Sequence, residues 1–240
     1  MTRWNKRLWL LARRLFKGDR FSVHGVEIIV PGTIDPEIRY RLARQRRYEE
    51  PEARFIGKYL RPDVHVVELG GSIGVMSALI RKRIGRTSRH VIVEANPVLA
   101  KVCERNANLG ADPGSVCVVV AAIDYSGKPE VYFDPGHNAH TGHVAASGIC
   151  VSTTTLAHVV AGLPDGPRVL VCDIEGAELD LVAAEAHNLW QFETIILETH
   201  PQRYAQGHKS LEDLVLMLKN QSFVPEDIAD DVIVFTRRVA

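Results

Sequence analysis

His65-Val66-Val67-Glu68-Leu69-Gly70-Gly71-Ser72-Ile73-Gly74, followed by Val91-Ile92-Val93-Glu94, decides the reading of this 240-residue chain. An apolar run ends in glycines, a helix-forming stretch follows, and a second apolar run ends in a carboxylate. Strand, tight turn, helix and strand in that order are how α/β proteins hold a nucleoside. Backbone approaches the ligand at the glycines, and the acid at the next strand end accepts hydrogen bonds from ribose hydroxyls. The spacing narrows this. A dinucleotide fingerprint closing on Gly71 and Gly74 requires glycine at position 69, where the chain has Leu69. What stands is acid-x-Gly-x-x-x-Gly, from Glu68 through Gly70 to Gly74. A ligand-free strand-to-helix turn would explain the glycines alone. Glu94 favours a nucleoside site, because Ala95-Asn96-Pro97 turns the chain sharply into a helix just beyond it.

Outward from this stretch, strands are expected near 64–69, 89–94, 115–121, 168–173 and 193–198, with helices near 73–84, 97–109, 177–188 and 210–220. The strand runs are rich in Val, Ile and Leu and short enough to be buried on both faces. Alternation of this kind predicts an α/β fold with a parallel sheet between two helical layers. The end differs: Phe223-Val224 and Asp231 to Thr236 are joined by a short polar stretch with no room for a crossover helix, so the last strand runs antiparallel to its predecessor. Between Gly127 and Thr155 a short strand at 130–133 enters a loop rich in glycine and histidine, the leading candidate for a substrate-facing lid.

Composition bounds the function. Hydrophobic residues make up 46% and charged residues 24%, the balance of a soluble globular protein rather than a disordered or membrane-spanning one. Net charge is zero but uneven: residues 1–47 hold twelve Lys/Arg against four Asp/Glu, and the remainder is acidic to the same extent. An acidic body with a basic arm argues against nucleic acid as partner, since a nucleic-acid binder carries its basic face on the folded domain. Four scattered cysteines (Cys103, Cys117, Cys150, Cys172), with no C-x-x-C pair, fit a reducing, cytoplasmic compartment. The longest apolar run near the N-terminus is five residues, Leu8 to Ala12, so neither a secretory signal nor a transmembrane segment is expected there.

The basic arm, residues 1–47, is set apart from a main domain over 48–240. Residues 3–17 read as a helix with Trp4, Leu8, Leu11, Leu15 and Phe16 on one face and Arg3, Lys6, Arg7, Arg13, Arg14 and Lys17 supplying charge. That face suits peripheral contact with an anionic membrane, but packing on the body or on a partner protein is the more common fate of such a face. A small β element at 21–30 turns at His24-Gly25. Residues 36–60 are expected to be mostly helical, with Arg39, Arg41, Arg44, Arg46 and Arg47 in the basic portion.

Chemistry gathers in three places. Glu68 ends the first strand, where it can order the glycine loop or reach a ligand's amino end through water. Ser72 offers a hydroxyl and an amide at a helix start that favours anions. Val120 to Ile123, with Ala122, should line a base pocket. Asp173 ends a buried strand, and Glu175 follows on the same side if the chain stays extended. Two carboxylates aimed at the ligand edge exceed what a fold needs, since anions near one another repel. Glu178, in the first turn of a helix, is explained as a dipole partner. Glu198 and His200 are expected to be extended on one side, because Pro201 disfavours a helical conformation at His200. Asp173, Glu175 and Glu198 could hold Mg²⁺, though no metal site is favoured. His137, His140 and His143 recur every three residues, but Gly136 and Gly142 speak for a solvated loop rather than a zinc site.

Glu68-Leu-Gly-Gly-Ser-Ile-Gly74, Glu94-Ala-Asn-Pro97, Asp173-Ile-Glu-Gly-Ala-Glu178 and Glu198-Thr-His-Pro201, in that order, resemble the FkbM-type methyltransferases. Tyr48-Glu49-Glu50-Pro51-Glu52 and Thr155-Leu156 extend the likeness over roughly 48–200. The resemblance implies a class I, Rossmann-like sheet closed by an antiparallel hairpin and S-adenosylmethionine as cofactor. It implies methyl transfer to a hydroxyl of a sugar or secondary metabolite, so the partner is a small-molecule or glycan acceptor. Glu68 stands where the family usually has Asp, and Gly71-Ser72 where Ala-Asn is common. On this basis the cofactor residues are Glu68, Gly70, Gly71, Ser72, Gly74, Glu94, Ala95, Ala122 and Asp173. A hydroxyl must lose its proton, and His200 or Asp173 is the candidate base, with Glu175 orienting the acceptor. The competing reading is a non-catalytic S-adenosylmethionine-binding regulatory or scaffolding subunit, which would have no use for acids and a histidine beside the sulfonium. A dehydrogenase is disfavoured by Leu69 and by the terminal hairpin.

Overall fold

Short runs of β-branched residues build the central sheet of the computed structural model, which describes residues 3–44, 48–136 and 142–238, with the side chains of Arg3 and Trp4 outside the described set. An N-terminal segment of α1 (Arg3–Lys17), β1 (Arg20–Val23), β2 (Val26–Ile29), α2 (Pro36–Ala43) and α3 (Glu50–Tyr59) leads into β3 (His65–Leu69), α4 (Val75–Arg83), β4 (His90–Glu94), α5 (Pro97–Ala107) and β5 (Val116–Val120). Four short strands follow: β6 (Ala122–Ile123), β7 (Glu130–Asp134), β8 (His143–Ala145) and β9 (Ile149–Thr154). The chain then runs through α6 (Leu156–Val160), β10 (Arg168–Cys172), α7 (Glu178–Ala184), α8 (Ala186–Leu189), β11 (Thr194–Glu198), α9 (Pro201–Gln206), α10 (Leu211–Asn220), β12 (Phe223–Ala229) and β13 (Val232–Arg237).

The main sheet has the order β12-β13-β11-β10-β3-β4-β5. Strands β3, β4, β5, β10 and β11 pair in parallel, whereas β13 is antiparallel to both β11 and β12. This is the order of the class I methyltransferase sheet, with the terminal hairpin that the polar connection at 229–231 demands. Residues on β3, β4, β10 and β11 are buried on both faces. Val66, Val169, Val171 and Ile196 pack toward α3, α4 and the β1–β2 hairpin, and Val67, Leu69, Leu170 and Leu197 toward α6, α7 and α10. The N-terminal extension shares that first core: Phe21, Ile28, Ile38 and Leu42 join Phe55, Ile56 and Val66. Strand order reverses between β3 and β10, so the connections beyond their C-terminal ends diverge and leave a crevice.

Two expectations are corrected. Helix over 177–188 breaks at Glu185, whose buried carboxylate accepts from Ala157 N (3.0 Å) and Asn188 Nδ2 (2.7 Å) and so ties the junction to α6. The region 36–60 is mostly helical as expected, with a break between α2 and α3 where Glu49 adopts a left-handed conformation (φ 46°); Arg46 and Arg47 lie outside the described residues. The segment 127–155 contains the expected short strand as β7, but together with β6 it forms a second sheet in the order β6-β9-β7-β8 rather than leading only into a loop. Its strands are short and mostly solvent-facing, so their hydrophobic alternation is weak. His137 and His140 lie outside the described residues.

The glycine turn is fixed by packing. Gly74 has φ +79°, and a Cβ there would stand 2.8 Å from the Cys103 Cα on α5. Gly74→Ala should therefore lower unfolding free energy by about 2–4 kcal/mol in urea titration, through left-handed strain together with forced separation of α4 and α5.

Candidate active site

A cavity of about 780 Å³ opens at the C-terminal edge of the parallel strands. One half is made by the ends of β3 and β4 and the chain beyond β5: Gly70, Ser72, Glu94, Ala95 and Ala122, closed by Leu99 and Ile123. Glu94 is the last residue of β4 and only 7% exposed. Both its oxygens are held by backbone amides: Ser72 N donates to Oε2 and Asn96 N to Oε1, each at 2.7 Å. The Asn96 side chain in turn caps α5 by accepting from Val98 N and Leu99 N. Burial raises the Glu94 pKa, and the two amides only partly offset it. Ser72, at φ 47°, is held left-handed, and its buried hydroxyl oxygen has no hydrogen-bond partner. Strain and an unsatisfied polar atom at one place are what a ligand pocket accumulates.

The glycines divide their labour. Gly70 borders the cavity, and its φ of +93° leaves room for the Asp173 carbonyl, which a Cβ would overlap. Gly71 and Gly74, expected at the cofactor, lie outside that wall. A Cβ on Gly71 would meet Ile92 and Cys103, so these two glycines serve close helix–sheet packing. Glu68 borders a smaller cavity behind Gly70 rather than the large one, and sits 2.9 Å from His90 Nε2, both side chains buried.

Asp173 and Glu175 do reach the cavity, though not by extended chain. Glu175 is left-handed (φ 53°) and begins a turn into α7, which brings its Oε2 to 3.5 Å from His200 Nε2; Asp173 Oδ1 lies at the same distance. His200 stands behind these two acids rather than in the cavity wall. Glu178 explains why. It is fully buried and accepts from four donors: Ile174 N and Gly176 N (3.1 Å each), His200 Nδ1 (3.0 Å) and Tyr204 Oη (2.9 Å). A dipole partner would be solvated at the helix end; Glu178 instead fixes the imidazole and the turn together. Burial works against charge on His200, but Glu178, then Asp173 and Glu175, outweigh it and push its pKa up to about 9. Burial is also the main cause that raises Asp173 well above the ordinary carboxylate range, with Glu198 adding to it and His200 opposing it.

Behind Gly70 lies a second, small cavity of about 30 Å³, bordered by Glu49, Glu52, Glu68, Asp173 and Glu198. Burial and a hydrogen bond with Glu198 push the Glu52 pKa to about 10, so this carboxyl is protonated at neutral pH. Burial and the nearby Glu198 push Glu49 to about 8. Asp173, Glu175 and His200 also have the spacing of a cation site, with potential ligand atoms within 4.8 Å of one another; Glu198, the third ligand expected from sequence, is engaged with Glu52 instead. A metal would have to displace the proton that Glu178 and its neighbours hold on His200, which weakens that site.

The other half of the large cavity is formed by Phe133, His143 and Val144 of the second sheet, Asp180 of α7, and Arg203 and Gln206 of α9. Helix α9 was not expected; Pro201 at its first position was the signal. His143 is placed by the structure against Arg203 (Nδ1 to Nη2, 3.5 Å). Asp124 and Tyr125 line the base side and were also missed, although an acid directly after the apolar run ending at Ile123 repeats the pattern of Glu94. Truncating Glu178→Ala strands two amides, a hydroxyl and an imidazolium, and should cost about 3–5 kcal/mol of stability in urea unfolding.

The family model described as the methyltransferase FkbM domain matches residues 68–225. No curated protein matches the chain significantly. Among solved structures, a protein of the NADB-Rossmann superfamily from Streptococcus agalactiae is similar at 10% identity, with a TM-score of 0.49 over 78% of this chain and 67% of that one. A precorrin-6y C5,15-methyltransferase from Geobacter metallireducens is similar at 12% identity, with a TM-score of 0.49 over 80% and 89%. Fibrillarin from Aeropyrum pernix, solved with natively bound S-adenosyl-L-methionine, is similar at 12% identity, with a TM-score of 0.46 over 78% and 74%. With two thirds of its length matched by that one family model, the chain belongs to the FkbM methyltransferase-domain family and is an S-adenosylmethionine-dependent methyltransferase.

Proposed function

We propose that this methyltransferase acts on a hydroxyl oxygen of a sugar or a hydroxylated secondary metabolite. The observation that carries the reading is the placement of Asp173 and Glu175, backed by His200 and Glu178, in the wall of the cavity that also holds Glu94. An alcohol needs a base as it becomes a nucleophile, and a carboxylate whose pKa burial has raised is a better one than a solvated acid. The facing half, with an aromatic ring (Phe133) among Asp180, Arg203 and Gln206, suits an acceptor bearing several hydroxyls.

The residues present fit the cofactor. Glu94 would take the ribose hydroxyls, Leu99, Ala95 and Ala122 the faces of the base, and Asp124 its amino group. Ser72, whose hydroxyl lacks a partner, and the Gly70 backbone would take the methionine end, with the acids of the small cavity facing its ammonium. The bound sulfonium supplies an electrophilic methyl group. The protein's part is orientation, which contributes up to ~7–11 kcal/mol, and removal of one proton, typically ~10²–10⁴-fold. Asp173 accepts that proton. His200, already protonated at neutral pH by its contact with Glu178, is the fixed cation that opposes the rise in the Asp173 pKa, and Glu175 orients the acceptor hydroxyl.

The assay is S-adenosylhomocysteine release and product mass with glycosides and polyhydroxylated acceptors set against amines. Methyl on oxygen is the expected product; methyl on nitrogen or carbon would overturn the reading. Asp173→Asn should lower kcat by about 10²–10⁴-fold. The pH profile separates the two candidate bases. Asp173 titrates above ordinary carboxylates, so activity should fall on acidification at an unusually high pH. His200→Asn removes the cation that opposes this rise and should move the acid limb higher still. If His200 were the base, the same substitution would abolish the limb instead of shifting it.

A further inference from the structure

The helix at the N-terminus is not used as its apolar stripe suggests. Helix α1 rests on the body through Trp9, which meets Tyr40 edge-on at 5.5 Å, through buried Leu10, and through Lys6, whose Nζ is 2.6 Å from Glu37 Oε2. Arg13 lies over the Phe21 ring on the same side. Lys6, Trp9, Leu10 and Arg13 share one face of the helix, so Leu8, Leu11 and Leu15 lie on the opposite face. Their exposures follow: Leu8 51%, Leu11 60% and Leu15 85%, with Phe16 beside them at 88%. This stripe therefore does not pack on the body, one of the two places expected for it. The contact is made by a second, mixed face, and the purely apolar one points outward.

The geometry points to an anionic lipid surface as the occupant of that face. Arg7, Arg14 and Lys17 are exposed on the same helix, in a segment of twelve Lys/Arg against four Asp/Glu, while residues 48–240 carry the opposite excess. An anionic surface attracts the arm and repels the body, which selects α1 as the side that approaches. A row of leucines with a phenylalanine on a convex helix, edged by cations, enters the boundary between headgroups and acyl chains. No helix among the described residues is long and apolar enough to cross a membrane, so the contact is peripheral. The helix is held on α2 by the contacts already described, and insertion of its outer face requires no unfolding of the body.

The test is co-sedimentation of the full chain with vesicles of phosphatidylcholine alone and of phosphatidylcholine mixed with phosphatidylglycerol, at low and high salt. The double variant Leu11→Glu/Phe16→Glu, both positions exposed, is run beside it with circular dichroism as the check on folding. Binding to the anionic vesicles only, weakened by salt and reduced about tenfold or more in the variant, is the expected result. Absence of binding by the unaltered protein, equal binding to neutral vesicles, or equal binding by the variant would each overturn the proposal. So would self-association abolished by the variant without lipid binding, which would assign the face to a second copy of the chain.

Discussion

The end of β10 lies against the turn that leaves β3, and the site is organised by that contact. Asp173 N donates to Leu69 O at 2.9 Å, and the Asp173 carbonyl occupies the space where Gly70 has no side chain. Any side chain at Gly70 would drive the two strand ends apart. Because strand order reverses at this pair, the chain beyond β3 turns toward Glu94 while the chain beyond β10 turns toward α7 and His200. A single close approach of two backbones thus places a ribose-type acid and an acid–base cluster on opposite sides of one cavity.

Such a concentration of carboxylates would repel itself without compensation. Three devices relieve it here. Backbone amides of Ser72 and Asn96 hold Glu94. Glu52 keeps its proton and shares it with Glu198. Glu178 is stabilised by four donors and, through His200, delivers one positive charge to the acids at the cavity wall. The cost of this arrangement is visible in the backbone, where Glu49, Ser72 and Glu175 all adopt left-handed conformations beside the two cavities.

Much of this was legible because the parallel strands are buried on both faces and announce themselves as unbroken apolar runs. Glu94 and Asp173 could be placed at strand ends from such runs alone, whereas Glu175 reaches the cavity through a left-handed turn that the sequence does not announce. Glu178 could not: its spacing from the helix start matches a dipole partner, and only the tertiary position of His200 and Tyr204 reveals its load. Gly71 and Gly74 are ambiguous for a related reason, since a glycine required by a neighbouring helix looks the same in sequence as one required by a ligand. The second sheet escaped because its strands are short, half-exposed and separated by glycines. Its wall against the cavity, Phe133 with His143 and Val144, is therefore also where sequence says least about the acceptor.

The glycine turn and Glu94 form a site for S-adenosylmethionine and not for a dinucleotide. The most direct measurement is calorimetric titration of the protein with S-adenosylhomocysteine and with NAD⁺, repeated on Glu94→Ala. Saturable binding of the former alone, weakened about tenfold or more by loss of the ribose acceptor, is the result this geometry predicts. Binding of NAD⁺, or S-adenosylhomocysteine affinity indifferent to Glu94→Ala in folded protein, would contradict it.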